Sequence, residues 1–341
     1  MSFPDRKLKI LIAYNEPQQQ AKHGDLDYIS EAAVKDEAEL VHQVILKLGH
    51  IPTYLPIKNL DDVFQMASGY EPDLIFNLCE GFHGNAKHEM FLAGLWELLK
   101  LPYTGNPPMS LGMAQNKVLA KYLFQANNIP TPRFEVFDCL PKAVALEYPL
   151  IAKPSQEDAS LGITPQSVIN TFEELQAKVD ELLKKYRQPI LVEQFIQGRE
   201  FNISILGNNP PKALPISEIS FSALGDDAPH ITSYEAKWLP DHPLYQKTPS
   251  VCPAQLSDEL KRRLETVALQ VYHLLMGRDY GRVDTRVDSD GNIFVLEYNP
   301  NPDISAEAGY VKALKAAGIK YQEFVELLIH EALNRELNVS N

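Results

Sequence analysis

GRVDTRVDSDGNIFVLEYNPNP, residues 281–302, is the stretch that decides the fold of this chain. Two runs in which apolar and polar residues alternate flank Asp290 and Gly291, a dipeptide that favours a two-residue type I′ hairpin turn. With those two residues as the turn, Ser289 lies opposite Asn292. The sequence therefore predicts an antiparallel hairpin whose register follows from its turn.

This register brings four polar side chains onto one face of the predicted sheet. Asp284 opposes Glu297, and Arg282 opposes Asn299. Two carboxylates directly opposite each other repel, so a positive group is expected between them. Oxygen ligands from Asp, Glu and Asn suit Mg²⁺, which completes its shell with water and substrate phosphates. The alternative is a solvated hairpin face whose carboxylates point to water.

The composition excludes several classes of protein. With 45% hydrophobic and 23% charged residues the chain can bury a large core, so disorder of its bulk is excluded. A net charge of -13 leaves no broad basic surface for nucleic acid or anionic lipid. No apolar run approaches the ~18 residues of a membrane span, and the first residues are charged, so we expect a cytoplasmic protein. Three cysteines without a C-x-x-C pair predict reduced thiols.

Strands and helices alternate over residues 1–105, which predicts a doubly wound α/β domain. This part lacks a G-x-G-x-x-G after its first strand, so a dinucleotide site there is not expected. Residues 111–128 are predicted to form one helix. The chain becomes richer in alternating strands further on, so we place boundaries near 106 and 190. The prediction is an α/β protein, α+β in its C-terminal part, with a central subdomain at 106–189 and a C-terminal one at 190–341.

Phosphate binding is predicted to depend on lysines, because no P-loop motif occurs in the sequence. Lys117, Lys153 and Lys237 are the candidates. Lys153 ends an apolar strand, where an ammonium group is costly unless it meets an anion. The loop that follows, residues 154–162, offers backbone N–H groups and a hydroxyl. The competing interpretation of any one of these lysines is an ordinary surface residue.

Six segments in a fixed order carry a family resemblance. They are LPYTGN (101–106), NKVLAKYLFQANNIPTP (116–132), YPLIAKPS (148–155), ILVEQFIQGREFNISILG (190–207), SYEAKW (233–238) and the stretch 281–302. The combination resembles the ATP-grasp superfamily and, within it, the D-alanine–D-alanine ligase family, over nearly all of residues 70–335. The resemblance implies an ATP-grasp fold of three subdomains, with ATP between the central and C-terminal parts. It also implies small-molecule substrates and, as the family's habit, a homodimer.

The resemblance assigns a role to each matching side chain. Six residues would bind the nucleotide. Lys117 and Lys153 would contact its phosphates and base, and Lys237 would reach the γ-phosphate. The adenine site would be lined by Glu193 and Ile196, and the ribose would be held by Glu200. For metal the residues are Asp284, Glu297 and Asn299, which would bind two Mg²⁺ ions, with Mn²⁺ as an alternative. For catalysis they are Arg282, at the transferring phosphoryl group and the later tetrahedral centre, and Ser160, in the phosphate loop.

Two departures from the family pattern concern the nucleotide side of the site. The family's phosphate loop carries Gly-Ser-Ser where this chain has Asp-Ala-Ser at 158–160, so only Ser160 is carried over. The family's Lys-Tyr pair becomes Lys237 and Trp238, which removes a tyrosine hydroxyl that helps to latch the loop. The lysine itself is kept, so nucleotide chemistry is still expected.

The amino-acid side of the site departs further. Ala308 stands where the family has the serine that receives the second substrate's carboxylate, and Asp303 adds a negative charge nearby. The N-terminal glutamate that orients the first amino acid matches either Glu16 or Glu31. The resemblance predicts an ATP-dependent carboxylate–amine ligase like D-alanine–D-alanine ligase, and these departures predict that D-alanine is a poor second substrate. The alternative is an ATP-grasp ligase for another amino acid or amine.

Two further functions stay open from the sequence. One is a nucleotide-binding protein without ligase activity, although Arg282, a group of use mainly in the transition state, argues against it. The other is a different ATP-grasp enzyme, such as a carboxylate kinase.

Overall fold

The computed structural model describes residues 6–16, 25–157, 162–225, 229–239 and 241–339. Within these ranges the strands form three sheets, a parallel one followed by two antiparallel ones. This confirms the predicted α/β class, with antiparallel sheets in the later parts of the chain. None of the helices in these ranges combines the length and the apolar character needed to traverse a lipid bilayer.

The N-terminal part is a small doubly wound unit. Its elements are β1 (Lys9–Asn15), α1 (Asp25–Lys47), β2 (Ile51–Ile57), α2 (Leu60–Tyr70), β3 (Leu74–Asn77) and α3 (Glu89–Leu98). The sheet order is β2-β1-β3, all parallel. Ile10 and Ile12 of β1 pack in one core cluster with α1, while Leu11 packs in another with α3. Because both faces are covered, the strand is apolar along most of its length.

The segment predicted as one helix over 111–128 is two helices, α4 (Pro108–Gln115) and α5 (Lys117–Ala126). Asn116 breaks the helix at φ -90°, ψ 88°, and its side chain accepts the N–H of Leu119 as the cap of α5. The break places Lys117 at the first position of a new helix. Its backbone N–H donates to the Ser155 carbonyl at 3.0 Å, which ties α5 to the loop after the central sheet's second strand.

The central sheet is antiparallel, in the order β4-β7-β5-β6. Its elements are β4 (Phe134–Phe137), β5 (Leu150–Pro154), β6 (Val168–Ile169), α6 (Phe172–Tyr186) and β7 (Ile190–Gln194). Apolar residues of α6 cover one face of this sheet. The strand neighbours of Lys153 and Glu193 point to α6. Because side chains alternate along a strand, Lys153 and Glu193 lie on the other face. The boundary predicted near 190 separates β7 from its own sheet, and we therefore place it after Gln194.

The C-terminal part holds the largest sheet, in the order β11-β10-β8-β12-β13 with β9 beside β8. Its elements are β8 (Arg199–Leu206), β9 (Lys212–Ala213), β10 (Ser217–Ile219), α7 (Tyr234–Trp238), α8 (Pro243–Lys247), β11 (Ser250–Val251), α9 (Asp258–Leu274), β12 (Tyr280–Val287), β13 (Ile293–Asn299), α10 (Gly309–Ala316) and α11 (Tyr321–Val339). One face is apolar and packs on α9 and α5. The opposite face carries the polar side chains.

The turn of the β12–β13 hairpin is longer than predicted. Asp288, not Ser289, lies opposite Asn292, because the N–H of Asp288 donates to the Asn292 carbonyl at 3.1 Å. The carboxylate of Asp288 also accepts the N–H groups of Asp290 and Asn292, at 3.0 and 2.8 Å. Gly291 adopts φ +80°, which favours glycine. This side-chain cap stabilises a three-residue loop, and the two-residue turn was therefore a wrong prediction.

A bulge restores the register that positions the polar face. Next to the turn Thr285 pairs with Val295, one residue out of step with the predicted pairing. The strands then shift, and Asp284 pairs with Glu297. Leu296 is thus the extra residue on β13. The longer turn and the bulge cancel, so the predicted opposition of Asp284 and Glu297 is confirmed.

Candidate active site

The floor of the candidate site is the polar face of β8, β12 and β13, centred on Asp284. Arg282 donates to both oxygens of Asp284 through Nε at 2.7 Å and Nη2 at 2.8 Å. The amides of Asn202 and Asn299 donate to the same carboxylate at 2.7 and 3.0 Å. Arg282, Asp284 and Asn299 therefore meet as predicted. Asn202 was missed, although it lies directly opposite Asp284 on β8.

The second carboxylate, Glu297, faces the lysines. The Nζ of Lys117 lies 3.1 Å from its Oε2. Burial would raise the pKa of Glu297, but the charges of Lys117, Lys153 and Lys237 hold that pKa well below its usual range. Burial in turn lowers the pKa of Lys237, as does Arg282, while the carboxylates of the floor oppose the shift. The structure thus brings the three predicted lysines around one ionised carboxylate.

The floor fits a hard cation by its donor chemistry. Among the described residues no group of three or more His, Cys, Asp or Glu side chains is arranged as a metal site. The available oxygen donors are the two opposed carboxylates, Asp284 and Glu297, and the amide of Asn299. Mg²⁺ commonly uses one or two protein carboxylates and completes its shell with water and phosphate. The three residues therefore suit a phosphate-bound Mg²⁺ better than a cation held by protein alone.

Lys153 and Glu193 meet in a buried cluster of charges that includes a residue the sequence did not reveal. Lys121 and Lys153 each lie 2.6 Å from a different oxygen of Glu193. Lys121 also donates to Thr131 at 2.8 Å. Burial lowers the pKa of Lys121 to about 8, whereas the two lysines keep the pKa of Glu193 below its usual value despite burial. Lys121 lies one helical turn after Lys117, and this spacing was the signal in the sequence that could have indicated Lys121 as a site residue.

Glu200 and Ile196 lie at the other end of the polar face, joined by a second missed residue. Arg286 lies opposite Glu200 across the β8–β12 pair and donates to its Oε2 at 2.8 Å. Arg286 also donates to the Ile196 carbonyl at 2.7 Å. Thr232 donates to the other oxygen of Glu200 at 2.9 Å. Arg286 was recognisable in the sequence as the next inward position after Arg282 and Asp284.

Ser160 lies outside the described residues, and its predicted role stays a prediction. The loop that follows it is described from Gly162 onward. There the Ile163 carbonyl accepts the backbone N–H of Tyr234 at 3.2 Å. Tyr234 is the first residue of α7, which carries Lys237. The loop of the central subdomain and the lysine helix of the C-terminal subdomain are therefore in direct contact.

Beside the floor lies a pair of acidic side chains, Glu37 and Asp303. Glu37 is on α1 and is 5% exposed. Burial and the neighbouring Asp303 raise the pKa of Glu37 well above its usual range, and the protonated carboxyl hydrogen bonds to Asp303. Burial would raise the pKa of Asp303, but Glu37 and the N–H of Ser305 lower it. Glu37 also accepts the N–H of Ile304 at 3.2 Å. The hydrogen bonds from Glu37 and from the Ser305 N–H thus favour the ionised form of Asp303, at the edge of the site.

Neither predicted N-terminal glutamate is shown in a substrate-orienting position. Glu16 is partly exposed and lies 3.7 Å from Lys58. The side chain of Glu31 lies outside the described part of the chain. Ala308 immediately precedes α10, and the helix has no side-chain cap. The alanine therefore leaves the first N–H groups of α10 without a hydroxyl acceptor at this position.

Comparisons with known proteins agree with this geometry. A family model described as "D-ala D-ala ligase C-terminus" matches residues 123–330. The protein y4sG of Sinorhizobium fredii is 33% identical over 77% of this chain and 75% of its own length. A D-alanine–D-alanine ligase of Desulforamulus reducens is 30% identical over 87% of this chain and 93% of its own length. The crystal structure of a D-alanine–D-alanine ligase from Bacillus anthracis, complexed with ATP, superimposes with a TM-score of 0.76 at 20% identity, covering 97% of this chain and 99% of that one.

Proposed function

Because the chain belongs to the D-alanine–D-alanine ligase family of ATP-grasp ligases, we propose that it joins a carboxylate to an amine other than D-alanine. The reaction consumes ATP and yields ADP and phosphate. The observation that carries this proposal is the polar face on which Arg282 holds Asp284 while Lys117 pairs with Glu297. A set of fixed charges of both signs suits phosphoryl transfer, which depends on positioning and charge neutralisation rather than on a protein nucleophile.

The proposed chemistry has two steps. In the first, a substrate carboxylate oxygen bonds to the γ-phosphorus of ATP as the bond to the β-phosphate oxygen breaks, giving an acyl phosphate and ADP. In the second, an amine nitrogen bonds to the acyl carbon, phosphate leaves, and the nitrogen gives up its proton. Charge builds up on phosphoryl oxygens in the first step and on the acyl oxygen in the second. Preorganised cations at those places lower both barriers.

The protein's own residues then have separate tasks. Lys237 and Arg282 stabilise the negative charge of the transferring group, and Arg282 is held ready by its two hydrogen bonds to Asp284. Asp284, Glu297 and Asn299 hold Mg²⁺, which when bound neutralises phosphate charge. These assignments are supported by the shared face of the three oxygen donors. Ser160 is assigned to the phosphate loop.

The remaining candidates form the nucleotide pocket. Lys117 lies beside the floor and is assigned to the phosphates, and Lys153 to the phosphates and base. Glu193 and Ile196 are assigned to adenine, and Glu200 to the ribose. Burial supports this division, since Glu193 is 2% exposed and pairs with Lys153. A buried, ion-paired carboxylate supplies fixed hydrogen-bond acceptors to a base without the cost of rearranging water.

The amine-bearing substrate is proposed to lack a free α-carboxylate near Asp303. The pKa of Asp303 is lowered by its hydrogen bonds, which favours the ionised form, and Asp303 lies close enough to Lys237 and Arg282 to raise the pKa of each. A substrate carboxylate placed there would meet a like charge and find no hydroxyl at Ala308. A neutral or cationic group avoids both penalties. Substrates that carry an amine or an amide at this end are therefore favoured.

A phosphate-release screen tests the function. ATP and Mg²⁺ are offered with pairs of D- and L-amino acids and with simple amines, and products are identified by mass spectrometry. A ligase releases phosphate only when both partners are present and forms the amide. Formation of ADP that needs the carboxylate alone, with the phosphoryl group retained on the carboxylate product, would identify a carboxylate kinase instead. ATP binding without release in any pair would leave a nucleotide-binding protein and contradict the proposal.

A further inference from the structure

Arg286 is a buried cation for which the proposed reaction has no task. It lies on the polar face of β12, two residues beyond Asp284. Its side chain is 4% exposed. Nε and Nη2 both donate to Oε2 of Glu200, at 3.1 and 2.8 Å. The carboxylate neutralises the guanidinium, which makes its burial tolerable.

The remaining donors of Arg286 reach two other segments of the chain. Nη1 donates to the Ile196 carbonyl at 2.7 Å, in the loop between β7 and β8. Nη2 donates to the carbonyl of His230, in the segment that leads to α7. The rings of Phe195 and Phe221 lie 4.9 and 5.7 Å from the guanidinium carbon. One side chain thus joins the sheet, the loop before it and the segment before α7.

The segment before α7 is held at a second point by the same ion pair. Thr232 donates to Oε1 of Glu200 at 2.9 Å, the oxygen that Arg286 does not use. Ser233 follows at once and caps α7, accepting the N–H of Ala236 at 3.4 Å. Lys237 is one residue further. Only a short, capped stretch of chain therefore separates the Arg286–Glu200 pair from Lys237.

We propose that Arg286 is a positioning residue that anchors the segment 229–238 to the sheet and thereby directs Lys237 toward the reacting phosphate. The task given to Lys237 rests on the proposed function; the anchor itself rests on the contacts alone. The first residue of α7 has a separate attachment, because the N–H of Tyr234 donates to the Ile163 carbonyl. Loss of Arg286 releases the segment that leads into the helix and leaves the Glu200 carboxylate without its cation.

Hydrogen–deuterium exchange of the nucleotide-free protein tests the anchor directly. In Arg286→Met, amides of 229–239 should exchange at least about tenfold faster than in the wild type, because a hydrogen-bonded segment has lost a charged donor. Exchange in α9, on the opposite face of the sheet, should not change. Arg199→Met is the matched control, since Arg199 pairs with Glu218 at 2.7 Å on the other face of the same sheet.

A conservative variant separates anchoring from neutralisation. The single ammonium of Arg286→Lys can pair with Glu200 but lacks the planar fork that also reaches two carbonyls. ADP affinity, measured by calorimetry, should stay within about threefold of the wild type, while exchange of 229–239 remains fast and kcat falls about tenfold. Thr232→Val, which cuts the second attachment, should raise exchange in the same segment. It also provides the test if Arg286→Met does not fold.

The two proposals can fail separately. Unchanged exchange of 229–239 in the folded variants, or its full recovery in Arg286→Lys, would overturn the anchor. Absence of phosphate release from the wild type with every substrate pair would overturn the ligase function, yet the exchange experiment would still decide whether Arg286 holds the segment.

Discussion

Lys117 and Glu297 form an ion pair of 3.1 Å between the first residue of α5 and the third residue from the end of β13. This pair relieves the repulsion between Glu297 and the opposed Asp284, which has its own cation in Arg282. Each carboxylate of the floor is therefore balanced by a separate side chain. Because Lys117 comes from another element, the charge state of Glu297 depends on how α5 packs on the sheet.

We expect Glu297→Gln to weaken the dependence of turnover on Mg²⁺ without unfolding the protein. Glutamine keeps the shape of the side chain but removes the charge that attracts the cation. The Mg²⁺ concentration at half-maximal phosphate release should rise at least about tenfold. Glu218→Gln is the control, because Glu218 lies in the same sheet and pairs with Arg199. An unchanged Mg²⁺ requirement with a normal circular dichroism spectrum would remove Glu297 from the metal site.

Arg282→Met is expected to separate binding from turnover. ATP affinity should stay within a few-fold of the wild type, because other groups hold the nucleotide. Phosphate release should fall by roughly 10²-fold or more, as when a preorganised charge is removed from a transition state. Both quantities are measurable on the same protein by calorimetry and a phosphate assay. Equal turnover in variant and wild type would show that Arg282 only orients Asp284.

The buried Lys121 should make stability depend on pH in the alkaline range. Its pKa falls from the ordinary 10.5 to about 8 in the folded protein. Between these values the unfolded chain binds a proton that the folded chain has released, so the free energy of unfolding rises with pH. Relative to Lys121→Met, the wild type should gain up to about 1.4 kcal/mol per pH unit in this window.

Denaturant unfolding of both proteins at several pH values measures this difference. Below pH 8 the difference should be constant, because both states of the wild type then carry the proton. Lys184→Met is the control, because the Lys184 side chain is 75% exposed. Its free energy of unfolding should change with pH in the same way as that of the wild type. A difference between the wild type and Lys121→Met that stays flat from pH 8 to 10.5 would contradict the burial argument.

The parts of the site that follow one strand or one hairpin were predictable from the sequence. Alternation with a period of two places Asp284 and Arg282 on one face whatever the turn. The turn itself depended on the Asp288 side chain, which caps a three-residue loop, and dipeptide preference does not contain that information. A bulge at Leu296 then cancelled the error. The correct register was reached through two departures from the simple hairpin.

Contacts between segments that are far apart in the chain could not be predicted from the sequence. The partners of Glu193 include Lys121, from a helix more than 70 positions earlier. The spacing of Lys121 from Lys117 indicates a shared helix face, but it does not indicate which carboxylate Lys121 meets. The same holds for Glu37, which reaches the site from the N-terminal domain. β7 is the last strand of the central sheet along the chain, and the boundary predicted near 190 falls before it, because the composition changes there whereas β7 still pairs with β4 and β5.

D-alanine should be a poor amine substrate for the wild type, and two substitutions should improve its use. Ala308→Ser supplies a hydroxyl at the start of α10 that can receive a carboxylate, and Asp303→Gly removes the like charge beside it. Ala308→Ser alone should also raise the melting temperature, because a serine cap stabilises a helix by about 0.5–2 kcal/mol. The stability gain and the change in substrate preference are thus measured separately.

The decisive comparison is phosphate release with D-alanine alone against the best pair from the mixed screen, at saturating ATP and Mg²⁺. The wild type should be far slower with D-alanine, since an unpaired carboxylate near Asp303 and Ala308 is costly in a closed site. The double variant should narrow that gap, and Asp303→Gly alone should narrow it less. Because Glu37 loses its hydrogen-bond partner in Asp303→Gly, the folding of this variant is checked by its melting temperature. A wild-type rate with D-alanine in the ordinary enzyme range of ~1 to 10³ per second would refute the altered substrate and establish D-alanine ligation.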